Sequence, residues 1–391
     1  TPNPQRWVII AIAMASFSLQ NRPSPCQTLV PNEYNYTHQR RLLITLIFIV
    51  VSILRLKHDG DGITLTLDNN IHFLNSSESL AANAEAILRV KNGTRFLTSH
   101  SGCRMARWLY VAQEIERRKE CVVIDIIPGR VLRKISQLQN NDTVFVPHGT
   151  ALEHFIDHFI NDLSVDIVVI SGRTMISSIA DEATYNDKIN QLLNNPHILC
   201  WFCQNIQRYG GGNLYHPKLF PFPYGLKESY RKGAEIFGAY KKVFYETLEW
   251  NDFNVENKSM IVYAGSLGNT NAKRSNIPQG KRLPPEEYFR EISKSMYILS
   301  PDGDRPETYR HYEAIGLGVA PITQLDSYLY RHLSNAGVQG IIFNHSEWNT
   351  TLLETKLDLF PVVNRNLIWE DFWEDWIDDA VGRKLSWNAT Q

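Results

Sequence analysis

Three short, mainly apolar runs constrain the fold of this chain more than any other feature. They are Thr143-Val144-Phe145-Val146, Val165-Asp166-Ile167-Val168-Val169-Ile170 and Ile198-Leu199-Cys200-Trp201-Phe202. Runs of this length without polar alternation read as strands buried on both faces, as in a parallel sheet. Cys121-Val122-Val123-Ile124-Asp125-Ile126-Ile127, ended by Pro128-Gly129, reads the same way. Between the runs lie stretches with helical periodicity, at Ser101–Arg118, Leu152–Leu163 and Tyr185–Leu193. Strands alternating with helices predict βαβ units.

The pattern stops and restarts. His216–Leu226 contains three prolines, which exclude a helix and a central strand and predict an extended edge. Lys227–Asn254 follows as a helical connection. A second β/α series then opens at Met260–Gly265. It continues through a helix at Pro285–Ser293, a strand at Ser295–Ser300, a strand at Val319–Ile322 and a strand at Ile341–Phe343. Leu367–Arg383, rich in Trp and acids, predicts a terminal helix. The expected partition is 1–57, an N-terminal anchor region; 58–226, a first β/α domain; 227–256, a connection; 257–366, a second β/α domain; and 367–391, the final helix.

Composition narrows the function classes. With 391 residues and a net charge of −1, the chain has no basic excess that would mark a general nucleic-acid partner. Two apolar runs, Trp7–Leu19 and Leu42–Leu54, each fall short of the ~17–25 residues that span a bilayer. They read as a buried helix, a signal core or a membrane anchor, and Arg40-Arg41 before the second would favour a lumenal C-terminal side. Eight Asn-X-Ser/Thr sequons, at Asn35, Asn75, Asn92, Asn141, Asn257, Asn344, Asn349 and Asn388, fit a secretory route. The five cysteines form no disulfide framework; Cys200 and Cys203 read as a buried pair or a local disulfide.

The densest chemistry follows Ser300. Pro301-Asp302-Gly303-Asp304 makes a turn, Pro306 suits the first position of a helix, Asp304 is a candidate cap and Glu307 complements the helix dipole. Strand, turn, helix and strand then form a βαβ unit whose ligand edge lies outside the carboxyl end of the strand. Unpaired N–H groups at the helix start can take a diphosphate, and Arg305 and Arg310 can add charge-assisted bonds. Arg310 and Glu313 share a helix face, where the alternative is a simple ion pair. Tyr309 and Tyr312 would serve equally as core.

The segment Ser300-Pro301-Asp302-Gly303-Asp304-Arg305-Pro306-Glu307-Thr308-Tyr309-Arg310-His311-Tyr312-Glu313-Ala314, ending in Pro321-Ile322, resembles the donor-site signature of exostosin-like glycosyltransferases. Trp201-Phe202, Gln204-Asn205, His216–Leu219 and Pro223-Tyr224-Gly225 extend the resemblance more loosely, so that it covers about 195–325. It implies a GT-B architecture, with two Rossmann-like domains facing a cleft. It implies an inverting transfer from a nucleotide sugar, commonly a UDP-sugar, to a glycan or glycoprotein. By motif position Arg310 would neutralise diphosphate and Glu313 would hold ribose. Gly265 and Ser266 would approach the phosphates, with Lys273 and Arg274 as further contacts and Ser300, Gly303, Asp304, Arg305 and Tyr309 completing the donor site.

Asp302-Gly303-Asp304 also fits an Asp-x-Asp metal pattern, as does Asp59-Gly60-Asp61. In a GT-B setting no metal and no cofactor beyond the donor is expected. The sequence does not identify the general base that an inverting transfer needs. Asp125, His148, Glu153 and His100 are weak candidates near strand ends. Two alternatives stay open: a non-catalytic glycan- or nucleotide-binding protein of the same fold, and an unrelated β/α enzyme, although no phosphate-loop motif is present. The resemblance with the sequons and apolar run leads to an expected single-pass location in Golgi or endoplasmic reticulum membrane, catalytic region lumenal.

Overall fold

The computed structural model describes residues 85–110, 130–172, 185–207, 213, 215–228, 232–250, 258–268, 271–333, 340–343, 345–346, 348–349, 361 and 363–389. Both apolar N-terminal runs and the expected strand at Cys121–Ile127 lie outside them. Among the described residues no helix is long and apolar enough to cross a membrane.

Among the described residues the architecture is α/β with two parallel sheets. The first holds β1 (Trp108–Tyr110), β2 (Val131–Leu132), β3 (Asp142–Pro147), β4 (Ile167–Gly172), β5 (Ile198–Cys203) and β6 (Leu219–Pro221). They pair in the order β2-β1-β3-β4-β5-β6, all parallel. Every residue of β4 and β5 is buried, which explains their unbroken apolar sequence. The order reverses between β1 and β3, so a topological switch point lies at their carboxyl ends. The Pro-rich β6 takes the edge, where a proline costs no ladder bond.

The second sheet is β7 (Met260–Tyr263), β8 (Ser295–Ser300) and β9 (Ala320–Thr323) in sequential parallel order. The segment expected to be a strand at Ile341–Phe343 makes a single bridge, Ile342 beside Ile322.

Helices among the described residues include α1 (Ser101–Met105), α2 (Thr150–His158), α3 (Tyr185–Asn194), α4 (Lys232–Trp250), α5 (Pro285–Ser293), α6 (Tyr309–Gly316) and α7 (Glu370–Ala389). The last helix returns to the first sheet. Ile377 and Ala380 join the cluster containing Phe202, Leu199 and Phe145, and Trp376 meets Phe202 at 5.3 Å.

Three expectations change. The predicted helix at Ser101–Arg118 stops at Met105, because Trp108-Leu109-Tyr110 is captured as a strand between β2 and β3. Long-range pairing there outweighs local periodicity. Cys200 and Cys203 are both buried, as one reading expected, but they form no disulfide with each other. Positions i and i+3 of a strand point to opposite faces, and the two thiols sit in separate core clusters. The third change concerns the helix after Ser300.

Candidate functional site

That helix starts later than the prolines suggest. Thr308, not Asp304, is the N-cap, and Tyr309 is the first helical residue. Thr308 N–H donates to His311 Nδ1 at 2.9 Å. Pro306 and Glu307 stay outside the helix because residues 304–307 form successive bends that carry Arg305 and Glu307 into the protein. Each is only 2 % exposed.

The turn itself is fastened from two sides. Gly303 N–H closes onto the Arg305 carbonyl at 2.7 Å. Arg274 reaches across with three donors: Nε to the Asp302 carbonyl at 2.7 Å, Nη2 to the Pro301 carbonyl at 2.9 Å and Nη1 to the Gly268 carbonyl at 3.2 Å. Asp302 N–H donates to Gln324 Oε1 at 3.0 Å, which ties the turn to the end of β9.

Arg310 plays the matching part for the loop after β7. Its Nη1 donates to the Ala264 and Leu299 carbonyls at 3.2 and 3.3 Å, and its Nη2 to the Ser266 carbonyl. The guanidinium also lies 5.6 Å from the Tyr288 ring centroid. Gly265 is obligatory beside it. Its φ is +64°, and a Cβ there would sit 3.1 Å from the Tyr263 ring and 3.2 Å from Arg310 Nη1. One arginine thus joins the carboxyl ends of β7 and β8 to the first turn of α6.

Glu313, one turn along α6, is buried. Burial raises its carboxyl to about 7, opposed by the charges of Arg310 and Lys227 and by a hydrogen bond with Tyr288. A carboxyl titrating near neutrality, with two cations beside it, can accept hydrogen bonds from hydroxyls when ionised.

A second polar cluster joins this edge to the first sheet. Arg305 Nη1 donates to the Tyr224 hydroxyl, with the guanidinium 5.4 Å from that ring's centroid. Tyr224 packs on Tyr309 at 4.5 Å, and Lys227 Nζ lies 5.9 Å over the Tyr309 ring. Glu307 Oε1 accepts from Tyr224 N–H at 2.7 Å and from the Tyr312 hydroxyl. Burial pushes Glu307 up to about 7 despite these bonds. Loops from the carboxyl ends of both sheets also meet through Gln207, whose Nε2 donates to the Gln324 carbonyl at 3.0 Å.

The structure therefore brings Gly265, Ser266, Arg274, Ser300, Gly303, Arg305, Tyr309, Arg310 and Glu313 to one edge. Ser300 Oγ lies 3.4 Å from Thr308 Oγ1, and Asp304 is exposed. Lys273 belongs to a 3-10 turn at Ala272–Asn276, and its side chain is outside the described residues. The proposed phosphate cations Arg274 and Arg310 spend most of their donors on carbonyls, so they shape the loops as well as charge them. Arg305 faces inward to Tyr224 instead of outward.

The base candidates disperse. Asp125 is outside the described residues. His148 is buried after β3, with Nε2 3.2 Å from Ser171 Oγ and 3.5 Å from Cys203 Sγ. Burial first, then Arg305, lowers its pKa to about 3, so it is neutral at pH 7. Glu153 lies in the first turn of α2. His100 caps α1, 3.7 Å from Glu228, in a cluster where Arg104 bridges Glu228 and Glu370. Among the described residues no group of His, Cys, Asp and Glu is arranged to hold a metal ion.

Sequence reasoning gave no role to Tyr224, Lys227, Tyr288 or Gln324, and took Glu307 for a dipole partner. Tyr224 lay within a quoted motif, but its partner is 81 positions away, and no local pattern carries that pairing. Neither a protein-family comparison nor a search of curated proteins finds a match for this chain.

Proposed function

We propose that the chain is a glycosyltransferase of GT-B type, transferring sugar with inversion from a nucleotide sugar, such as a UDP-sugar, to a glycan or glycoprotein. One observation carries the reading: Arg310 ties together the loops after β7 and β8 immediately beside the buried Glu313. In parallel α/β sheets that edge is where ligands bind. On this reading the remaining Arg310 donors and the loop at Gly265-Ser266 meet the diphosphate, and Glu313 accepts from the ribose hydroxyls. The acceptor hydroxyl attacks the anomeric carbon, the bond from that carbon to the diphosphate oxygen breaks, the nucleoside diphosphate leaves, and a general base takes the proton. The exposed sequons at Asn92, Asn141 and Asn349 favour a lumenal setting.

The test is a nucleotide-sugar panel read by thermal shift, because bound ligand raises apparent stability. It is followed by transfer assays on Arg310→Ala and Glu313→Gln. A shift with one nucleotide sugar, lost in both variants together with transfer, is expected. Full transfer by both variants would sink the assignment. Donor binding without turnover on any acceptor would instead favour a non-catalytic binding protein.

A further inference from the structure

Among the described residues, the large apolar side chains that stand open to solvent are Leu88, Tyr215, Tyr245 and Tyr328. Two of them meet. Tyr215 is 52 % exposed and Tyr328 is 59 % exposed, and their rings touch edge to face with centroids 5.2 Å apart. Tyr215 precedes β6, whereas Tyr328 lies in the turn after β9.

The pair is held in place by polar groups at its rim. The Tyr215 hydroxyl donates to Asp326 Oδ2 at 3.2 Å. Asp326 Oδ1 accepts from the Tyr328 and Leu329 N–H groups at 3.0 and 2.8 Å. Arg331 lies 4.6 Å over the Tyr328 ring, and its Nη1 donates to the Tyr328 carbonyl at 2.9 Å. A ring whose position is fixed before binding loses little entropy on binding.

A cavity of about 360 Å³ opens beside the pair, lined also by Phe220, His332 and Trp376. Among the described residues His332 Nε2 is buried there with no hydrogen-bond partner, and its ring lies 5.0 Å from that of Trp376. Apolar walls with a few fixed polar groups are the usual make-up of a small-ligand site.

The edge of β6 excludes one class of occupant. Trp201 N–H donates to the Lys218 carbonyl and Phe222 N–H to the Cys203 carbonyl. Lys218 and Phe222 therefore face β5, and Leu219 and Pro221 face outward. The Leu219 N–H is taken by the His216 carbonyl at 3.0 Å, and Pro221 has none. An added peptide strand would find no N–H to accept from.

We propose that Tyr215 and Tyr328, with the cavity beside them, bind a pyranose ring of the acceptor glycan. One face of a pyranose is a row of C–H groups, which an aromatic ring covers, while its rim of hydroxyls needs acceptors and donors. Asp326 and Arg331 supply both. The platform is also tied to the turn after β8: Asp326 N–H donates to Gln207 Oε1 at 2.8 Å, Gln207 to the Gln324 carbonyl at 3.0 Å, and Asp302 N–H to Gln324 Oε1 at 3.0 Å. The word acceptor rests on the glycosyltransferase reading; the saccharide site itself does not.

The experiment applies the 391-residue chain to an array of immobilised neutral, N-acetylated and uronic-acid oligosaccharides. Wild type, Tyr328→Phe and the double variant Tyr215→Ala/Tyr328→Ala are compared. Retention of some glycans by wild type and Tyr328→Phe is expected, with at least about a tenfold loss in the double variant, as for removal of an aromatic anchor. The melting temperature and any nucleotide-sugar shift should match wild type in the double variant, since both rings are exposed. No glycan bound by wild type, or equal binding by the double variant, would overturn the proposal. Either result leaves the donor reading to be judged by the nucleotide-sugar panel alone.

Discussion

The Tyr224 hydroxyl, at the exit from the first sheet, accepts a hydrogen bond from Arg305, in the turn after β8. The two residues are 81 positions apart, and Arg305 is almost wholly buried. A buried guanidinium is costly where its donors lack partners, and Arg305 Nε has none among the described residues, which leaves the Tyr224 bond to carry more of the charge.

Tyr224→Phe isolates that bond. The ring stays under the guanidinium, so the contact at 5.4 Å is kept, while the acceptor is lost. Leaving a buried charged donor without a partner costs about 1–3 kcal/mol. Urea denaturation of the variant should show a lower midpoint with unchanged slope. An unchanged midpoint would mean that water replaces the hydroxyl.

Glu307 gives a pH dependence of defined sign. Its carboxyl is raised from an ordinary 4.5 to about 7, mainly by burial. Between those values the folded protein holds a proton that the unfolded chain has released. Stability from this group is therefore complete below pH 4.5 and falls as pH rises towards 7. Glu313, raised to about 7 as well, adds in the same direction. Glu307→Gln keeps a neutral side chain at every pH. Its loss of stability between pH 5 and pH 8 should be smaller than that of wild type by roughly 2–3 kcal/mol. Equal losses in both proteins would show that Glu307 ionises normally.

Gly316→Ala tests the packing of α6 on α4. A Cβ at that position would lie 1.9 Å from the Tyr240 hydroxyl oxygen and 2.9 Å from Ile368 Cδ1. Alanine gains at most about 1 kcal/mol in helix propensity, whereas overpacking costs about 1–3 kcal/mol or more, so the clash decides the sign. Among the described residues the Tyr240 hydroxyl is buried without a hydrogen-bond partner. Tyr240→Phe alone should be near neutral, and in combination with Gly316→Ala it should recover about 1 kcal/mol. Thermal denaturation of the four proteins measures this coupling, and strict additivity would refute the proposed contact.

The sequence was most legible where signals are local. Pro285 at the start of a helix and the apolar run to Ser300 placed α5 and β8 at their observed bounds. The edge position of the Pro-rich segment and the all-buried character of β4 and β5 followed from residue type alone. Arg310, Gly265 and Ser266 were assigned to one site from motif order, and the structure does bring them together. The helix start was misplaced because Glu307 answers to Tyr224 and Tyr312, not to the dipole of the helix that follows it. The strand at Trp108–Tyr110 was missed because its partners, β2 and β3, decide its conformation.

The return of α7 to the first sheet has a consequence for how the chain is made. Trp376, Ile377 and Ala380 come after the whole second sheet in the chain, yet they pack against the cluster of Phe202 and Leu199 in the first. Synthesis proceeds from the N-terminus, and domains ordinarily fold as they emerge. Here the first sheet leaves the ribosome well before the helix that closes part of its surface. Until α7 has followed, the faces of β5 and β6 that meet Trp376 remain open to water, a window in which a nascent chain of this design is exposed to misassociation.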